Sequence, residues 1–140
     1  MRGGFELKKS LSIVILNHGK FGEELILSAK LVIGEIENIC ALSLLSGMSI
    51  EEFYAMSEEV ISSQEGETVI LTDFYGGTPC NVAMMLQRKF DVKILCGLNL
   101  PMLIELAGSI DDFEDTDELL KSVVESARKA ISRPAIISEV

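Results

Sequence analysis

The chain has one histidine, His18, at the end of the apolar run Ser12-Ile-Val-Ile-Leu-Asn-His-Gly. Asp73 follows a second apolar run in Leu71-Thr-Asp-Phe-Tyr-Gly-Gly-Thr-Pro. If the two runs are neighbouring strands, an imidazole and a carboxylate emerge side by side at one sheet edge. A carboxylate on one ring N–H fixes the tautomer, leaves the other nitrogen free as a nucleophile, and stabilises positive character on the ring. Beside them Gly76-Gly77-Thr78-Pro79 reads as a turn into a helix N-terminus, where converging N–H groups and the helix dipole bind anions. The combination points to phosphate chemistry on a histidine. By itself, without the neighbouring histidine, Asp73 reads as a turn residue bonding its own backbone. Thr78 caps the helix, binds a phosphoryl oxygen, or does both. The turn is not a nucleotide P-loop, since no Gly-Lys-Ser/Thr follows. Lys20 could steer phosphate, but reads first as a solvent-exposed lysine.

The elements that must position these residues alternate along the chain. Leu11–Leu16 is continuously apolar, as in a strand covered on both faces. Phe21, Leu25, Ile26, Ala29 and 31–33 recur at helical spacing up to Gly34. Residues 38–45 predict a second strand. Ser49-x-x-Glu52 is a capping box that opens a helix with Phe53, Met56 and Val60 inward. Residues 68–72 predict a third strand. Thr78 as N-cap and Pro79 as first helical residue start a helix with Val82, Met85, Leu86 and Phe90 inward. Residues 93–98 predict a fourth strand. Asn99-Leu-Pro101 turns into a short helix ending near Gly108. Asp115-x-x-Glu118 caps a last helix through Leu119, Leu120, Val123, Val124, Ala127 and Ile131. After Pro134, residues 135–140 are expected as an antiparallel edge strand or a tail.

Such alternation predicts right-handed crossovers and a mostly parallel sheet. The expected architecture is a doubly wound α/β sheet of order 2-1-3-4 with helices on both faces. Ligands of such sheets bind where helices leave adjacent strands on opposite faces, here between strands one and three. His18 and Asp73 would both stand there.

Residues 11–140 read as one domain, with 1–10 as an N-terminal extension of no obvious role. Twelve basic against 22 acidic residues give a net charge of −10, which disfavours nucleic acid as a partner. The acidic cluster Asp111-Asp-Phe-Glu-Asp-Thr-Asp-Glu reads as a solvated loop entering a helix. Cys40, Cys80 and Cys96 include no Cys-x-x-Cys pair and have one histidine for company, so a structural zinc site is not expected. They read as buried reduced thiols of a cytosolic protein. The apolar stretch at 11–16 is shorter than a signal-peptide core, and no segment reaches the roughly 20 apolar residues of a membrane span. A cytoplasmic protein is expected.

Ile13-Val-Ile-Leu-Asn-His-Gly, Leu71-Thr-Asp-Phe-Tyr-Gly-Gly-Thr-Pro-Cys-Asn and Gly97-Leu-Asn-Leu-Pro-Met-Leu, in this order, closely resemble the IIA component of the mannose-class bacterial sugar phosphotransferase system. The resemblance runs from Leu11 to the last helix. It implies a cytoplasmic phosphotransferase component in sugar transport. In that role a histidine takes a phosphoryl group from the phosphocarrier HPr and gives it to a IIB component serving a membrane permease. It places His18 as the phosphorylated histidine, Asp73 as its carboxylate partner, and Thr78 where the family has serine or threonine beside the phosphoryl group. Asn17 stands where hydroxyl or small residues are common. No IIB domain follows in these 140 residues, so the acceptor is expected on a separate chain. The resemblance also implies a homodimer that exchanges a C-terminal strand. No metal or organic cofactor is expected.

Two other readings remain open. One is the phosphocarrier subunit of a dihydroxyacetone kinase, which has a related fold. The other is a non-catalytic ligand-sensing domain of the same fold. Phe21, Tyr75 and Met102 are candidates for an apolar rim around the site, with the core as the alternative for Phe21 and Met102.

Overall fold

A computed structural model describes residues 10–136. Residues 1–9 of the expected 1–10 extension and the final residues 137–140 lie outside them. In chain order the elements are β1 (Leu11–His18), α1 (Phe21–Ile33), β2 (Ile39–Leu44), α2 (Ile50–Ser62), β3 (Glu67–Thr72), α3 (Thr78–Gln87), β4 (Val92–Cys96), α4 (Leu100–Ser109), a short 3-10 turn at Ile110–Asp112, and α5 (Thr116–Lys129). The strands form one parallel sheet in the order β2-β1-β3-β4, as the strand–helix alternation predicts.

The sheet is covered on both sides, which is why its central strands are uninterrupted apolar runs. Successive side chains point to opposite faces. Ile13 and Ile15 of β1 therefore join Val69 and Leu71 under α1, α4 and α5. Val14 and Leu16 join Ile70 under α2 and α3. Both layers are fully closed at their centres: Ile15, Leu16, Ile70, Leu71, Phe53 and Leu103 have no exposed surface. Each such side chain contributes roughly 1.5–3 kcal/mol on burial.

Local signals set most element ends. The Ser49 hydroxyl accepts from the Glu52 N–H, and the Glu52 carboxylate accepts from the Ser49 N–H, closing the expected capping box. These bonds hold the Glu52 carboxyl below its usual range. Gly34, at φ +89°, ends α1. Asn99 N-caps α4, its side chain accepting from the Met102 N–H at 2.9 Å.

Several details differ from the sequence reading. Gly77, in extended conformation, is the N-cap of α3, which moves Thr78 and Pro79 one position into the helix. Strand β4 begins and ends earlier than expected, at Val92 and Cys96. Met85 and Ile131 are exposed rather than inward. Ile131 lies past the end of α5, so helical spacing no longer governs where it points. Among the described residues there is no antiparallel fifth strand: 131–136 are irregular and exposed, and the rest of the expected segment, 137–140, lies outside them. Cys80 and Cys96, distant in sequence, meet with sulfurs 3.4 Å apart. Burial pushes the Cys96 and Cys40 thiols up, disfavouring their thiolates.

Candidate functional site at the β1 and β3 strand ends

The crevice between β1 and β3 is the topological switch point. Helix α1 leaves β1 on one face of the sheet and α3 leaves β3 on the other. His18 is the last residue of β1, and Asp73 is the first residue after β3. Because Leu16 lies opposite Thr72 in the parallel register, the two residues reach the same edge together.

Their contact is double. His18 donates its backbone N–H to Asp73 Oδ2 at 2.8 Å, and its ring Nδ1 lies 2.8 Å from the same oxygen. A carboxylate only accepts, so Nδ1 carries the proton and Nε2 is left as the free nitrogen. The other carboxylate oxygen accepts from the Phe74 N–H at 3.1 Å. Exposure separates the partners: the His18 side chain is 43% exposed and that of Asp73 13%. The charge is set back in the protein while the imidazole faces outward.

Asn17 braces the turn from below. It is fully buried, and its amide donates to the His18 and Gly19 carbonyls at 3.1 and 2.9 Å. Those bonds hold the backbone where the chain leaves the strand for Gly19, at φ +59°. Asn17 Oδ1 has no hydrogen-bond partner among the described residues.

The glycine turn lies against the imidazole. Gly76 adopts φ +93°, a left-handed conformation that side chains resist. Gly77 leaves room for both rings as they stand: a Cβ there would sit 3.0 Å from His18 Cε1 and 2.8 Å from Phe74 Cζ. Gly77, as N-cap, has no side chain to cap α3. The first-turn N–H groups of Thr78 and Cys80 therefore keep their capacity to bind an anion, while Pro79 has none. His18 and Asp73 are thus in direct contact, and Gly77 lies beside the His18 ring, with Gly76 and Thr78 in the same turn.

Of the rim residues, Tyr75 is 76% exposed and Phe21 partly so, whereas Met102 is buried in the core beneath α4. The rim reading of Met102 is overturned, because Asn99 caps the helix one turn earlier and rotates Met102 inward. Sequence reasoning missed Phe74, whose ring stacks on that of His18 with centroids 5.3 Å apart and planes inclined by 17°. The one available signal was an aromatic residue directly after the aspartate.

Among the described residues no group of three or more His, Cys, Asp or Glu side chains is arranged to hold a metal ion. None of their helices is long and apolar enough to cross a membrane.

Residues 12–124 match the family model described as PTS system fructose IIA component, of the EIIA-man type. The chain is 31% identical over 126 residues to the mannose-specific EIIAB component of the phosphotransferase system (PTS) of Escherichia coli K12. That alignment covers 87% of this chain and 39% of the relative, so the chain spans well under half of that protein's length. It is 29% identical over 99 residues to the fructose-specific EIIA component of Bacillus subtilis, covering 69% of this chain and 68% of the relative. Among solved structures, the EIIA component of Streptococcus agalactiae superposes with a TM-score of 0.81 at 32% identity, covering 88% of this chain and 96% of that one. The mannose/sorbose-specific IIA subunit of Enterococcus faecalis does so at 0.83 and 26% identity, covering 96% and 100%. The chain belongs to the mannose-class IIA components of the sugar phosphotransferase system.

Proposed function

We propose that this protein is a cytoplasmic phosphohistidine carrier that accepts a phosphoryl group from HPr on His18 Nε2 and passes it to a separate IIB component. Sugar uptake through a membrane permease would draw on that IIB. The observation that carries the reading is the 2.8 Å contact between His18 Nδ1 and Asp73 Oδ2, which leaves Nε2 as the unpaired ring nitrogen of a 43% exposed side chain.

The transfer balances without outside help. The Nε2 lone pair forms a bond to phosphorus as the donor's N–P bond breaks, and that electron pair returns to the donor nitrogen. Positive character on the His18 ring is met by the Asp73 carboxylate through the Nδ1–H. Charge on the phosphoryl oxygens is met by Gly77 and Thr78 at the start of α3, through backbone N–H groups and the Thr78 hydroxyl. Transfer to IIB is the same step reversed, with a new acceptor.

A carrier meets two partners with one site, so its docking surface is modest in area and quickly released. Tyr75 and Phe21 belong to that surface. The working form is a homodimer, supported by Ile131 and Ile136, which a single copy leaves exposed. Truncation after Ser132 is expected to lower the sedimentation coefficient to that of a monomer; an unchanged coefficient would contradict this.

Incubation with the general phosphotransferase proteins and labelled phosphoenolpyruvate tests the carrier reading. The expected result is acid-labile label on the wild type and none on His18→Ala. Onward transfer to a IIB, rather than to a dihydroxyacetone kinase, distinguishes the two phosphocarrier roles. An unlabelled wild type would favour the ligand-sensing alternative.

A further inference from the structure

We infer that Phe74 is a positioning residue for His18: its stacked ring, admitted by the missing side chain of Gly77, fixes the plane of the imidazole so that Nε2 faces an incoming phosphoryl group. The inference rests on the carrier reading and adds to it a residue outside the histidine–aspartate pair.

The hydrogen bond to Asp73 fixes one atom of the imidazole, Nδ1. A hydrogen bond tolerates some rotation of the ring about Cβ–Cγ, and χ2 of histidine has a broad, shallow potential. The Phe74 ring removes that freedom. It lies nearly parallel to the imidazole, inclined by 17° with centroids 5.3 Å apart, which is an offset stack. A point contact and a plane contact together determine where the Nε2 lone pair aims. Attack on phosphorus needs that lone pair in line with the breaking bond, so a preset ring plane lowers the entropic part of the barrier.

Gly77 is the third member of the arrangement. Any Cβ at this position would press on Phe74 Cζ at 2.8 Å and on His18 Cε1 at 3.0 Å. The turn therefore serves twice, approaching the phosphoryl site with its backbone and making room for two stacked rings. The stack also has an electrostatic consequence. The imidazole gains positive character when phosphorus binds Nε2, and the negative face of the Phe74 ring favours that charge. Phe74 is more than half exposed and is absent from both core clusters, so its ring is not needed to hold the fold.

The test uses Phe74→Leu, which keeps an apolar side chain without a ring, and Phe74→Tyr, which restores one. The first measurement is the NMR shift of the His18 ring protons in the unphosphorylated protein. The stack predicts wild-type resonances upfield of those in Phe74→Leu, with Phe74→Tyr near wild type. The second is the rate of phosphorylation by phospho-HPr. Phe74→Leu is expected to lower kcat by about 5- to 10-fold with KM for the donor unchanged, and Phe74→Tyr to recover most of it. Equal shifts and equal rates in all three proteins would overturn the inference. A defect confined to KM would also overturn it, making Phe74 a docking residue. If the wild type accepts no phosphate, the carrier reading fails, and the proton shifts still decide whether Phe74 orders the imidazole.

Discussion

Asp73 Oδ2 accepts from both the backbone N–H and the ring Nδ1–H of His18, each at 2.8 Å, across 55 residues of sequence. One oxygen thus ties the end of β1 to the end of β3 and orients the imidazole at the same time.

Asp73→Asn separates these two roles in part. The amide keeps the size of the carboxylate and its oxygen can still accept both bonds from His18, but its NH2 cannot accept from the Phe74 N–H and it carries no charge to oppose a cationic ring. A charge-assisted hydrogen bond is worth about 1.5–3 kcal/mol, so phosphorylation of His18 is expected to slow by roughly 10- to 100-fold. Circular dichroism should show an unchanged fold. A rate equal to wild type would mean that the carboxylate is only a strand tie.

Thr78 is the first residue of α3 rather than its cap, which frees its hydroxyl from the capping role assigned to it by sequence. Thr78→Ser is expected to be tolerated. Thr78→Val removes the hydroxyl and keeps the shape. A preorganised donor of this kind contributes up to about 3–4 kcal/mol to the barrier, less where backbone N–H groups share the load. Stopped labelling at short times would detect the slower transfer. A wild-type rate in Thr78→Val leaves the backbone alone to hold the phosphoryl group.

Tyr75 is 76% exposed and lies in the loop between Asp73 and the glycine turn. Tyr75→Glu should weaken transfer from HPr and to IIB together, and leave the thermal midpoint nearly unchanged. A lowered midpoint with normal transfer would place the residue in the structure rather than on the docking surface.

Gly22 tests the brace beneath the site. It is buried in the first turn of α1, and a Cβ there would lie 2.3 Å from Asn17 Oδ1 and 2.9 Å from both Ala41 Cβ and Ile15 Cγ2. Overpacking of this kind costs about 1–3 kcal/mol. Gly22→Ala should lower the urea midpoint accordingly. An unshifted midpoint would show that Asn17 can move aside freely.

The sheet order was readable because strand-helix alternation and crossover handedness leave few topologies for so short a chain. The pairing of His18 with Asp73 followed from that order, since both close apolar runs of adjacent strands. Other features depend on contacts that spacing does not encode. Pro79 fits the first or second helical position equally well, so the cap moved from Thr78 to Gly77. Met102 turns inward with the Asn99 cap, and Ile131 lies beyond the helix whose apolar spacing it continues. The Phe74 stack needs the gap at Gly77, a tertiary fact that a string of residues does not display.

The central claim is that phosphate is carried on His18 Nε2 while Nδ1 stays bound to Asp73. Long-range proton–nitrogen NMR of the phosphorylated protein, with its ring nitrogens isotopically labelled, tests it most directly. The account predicts phosphorus coupling at Nε2 and a retained proton on Nδ1. Phosphorus on Nδ1, or on any residue other than His18, would contradict it.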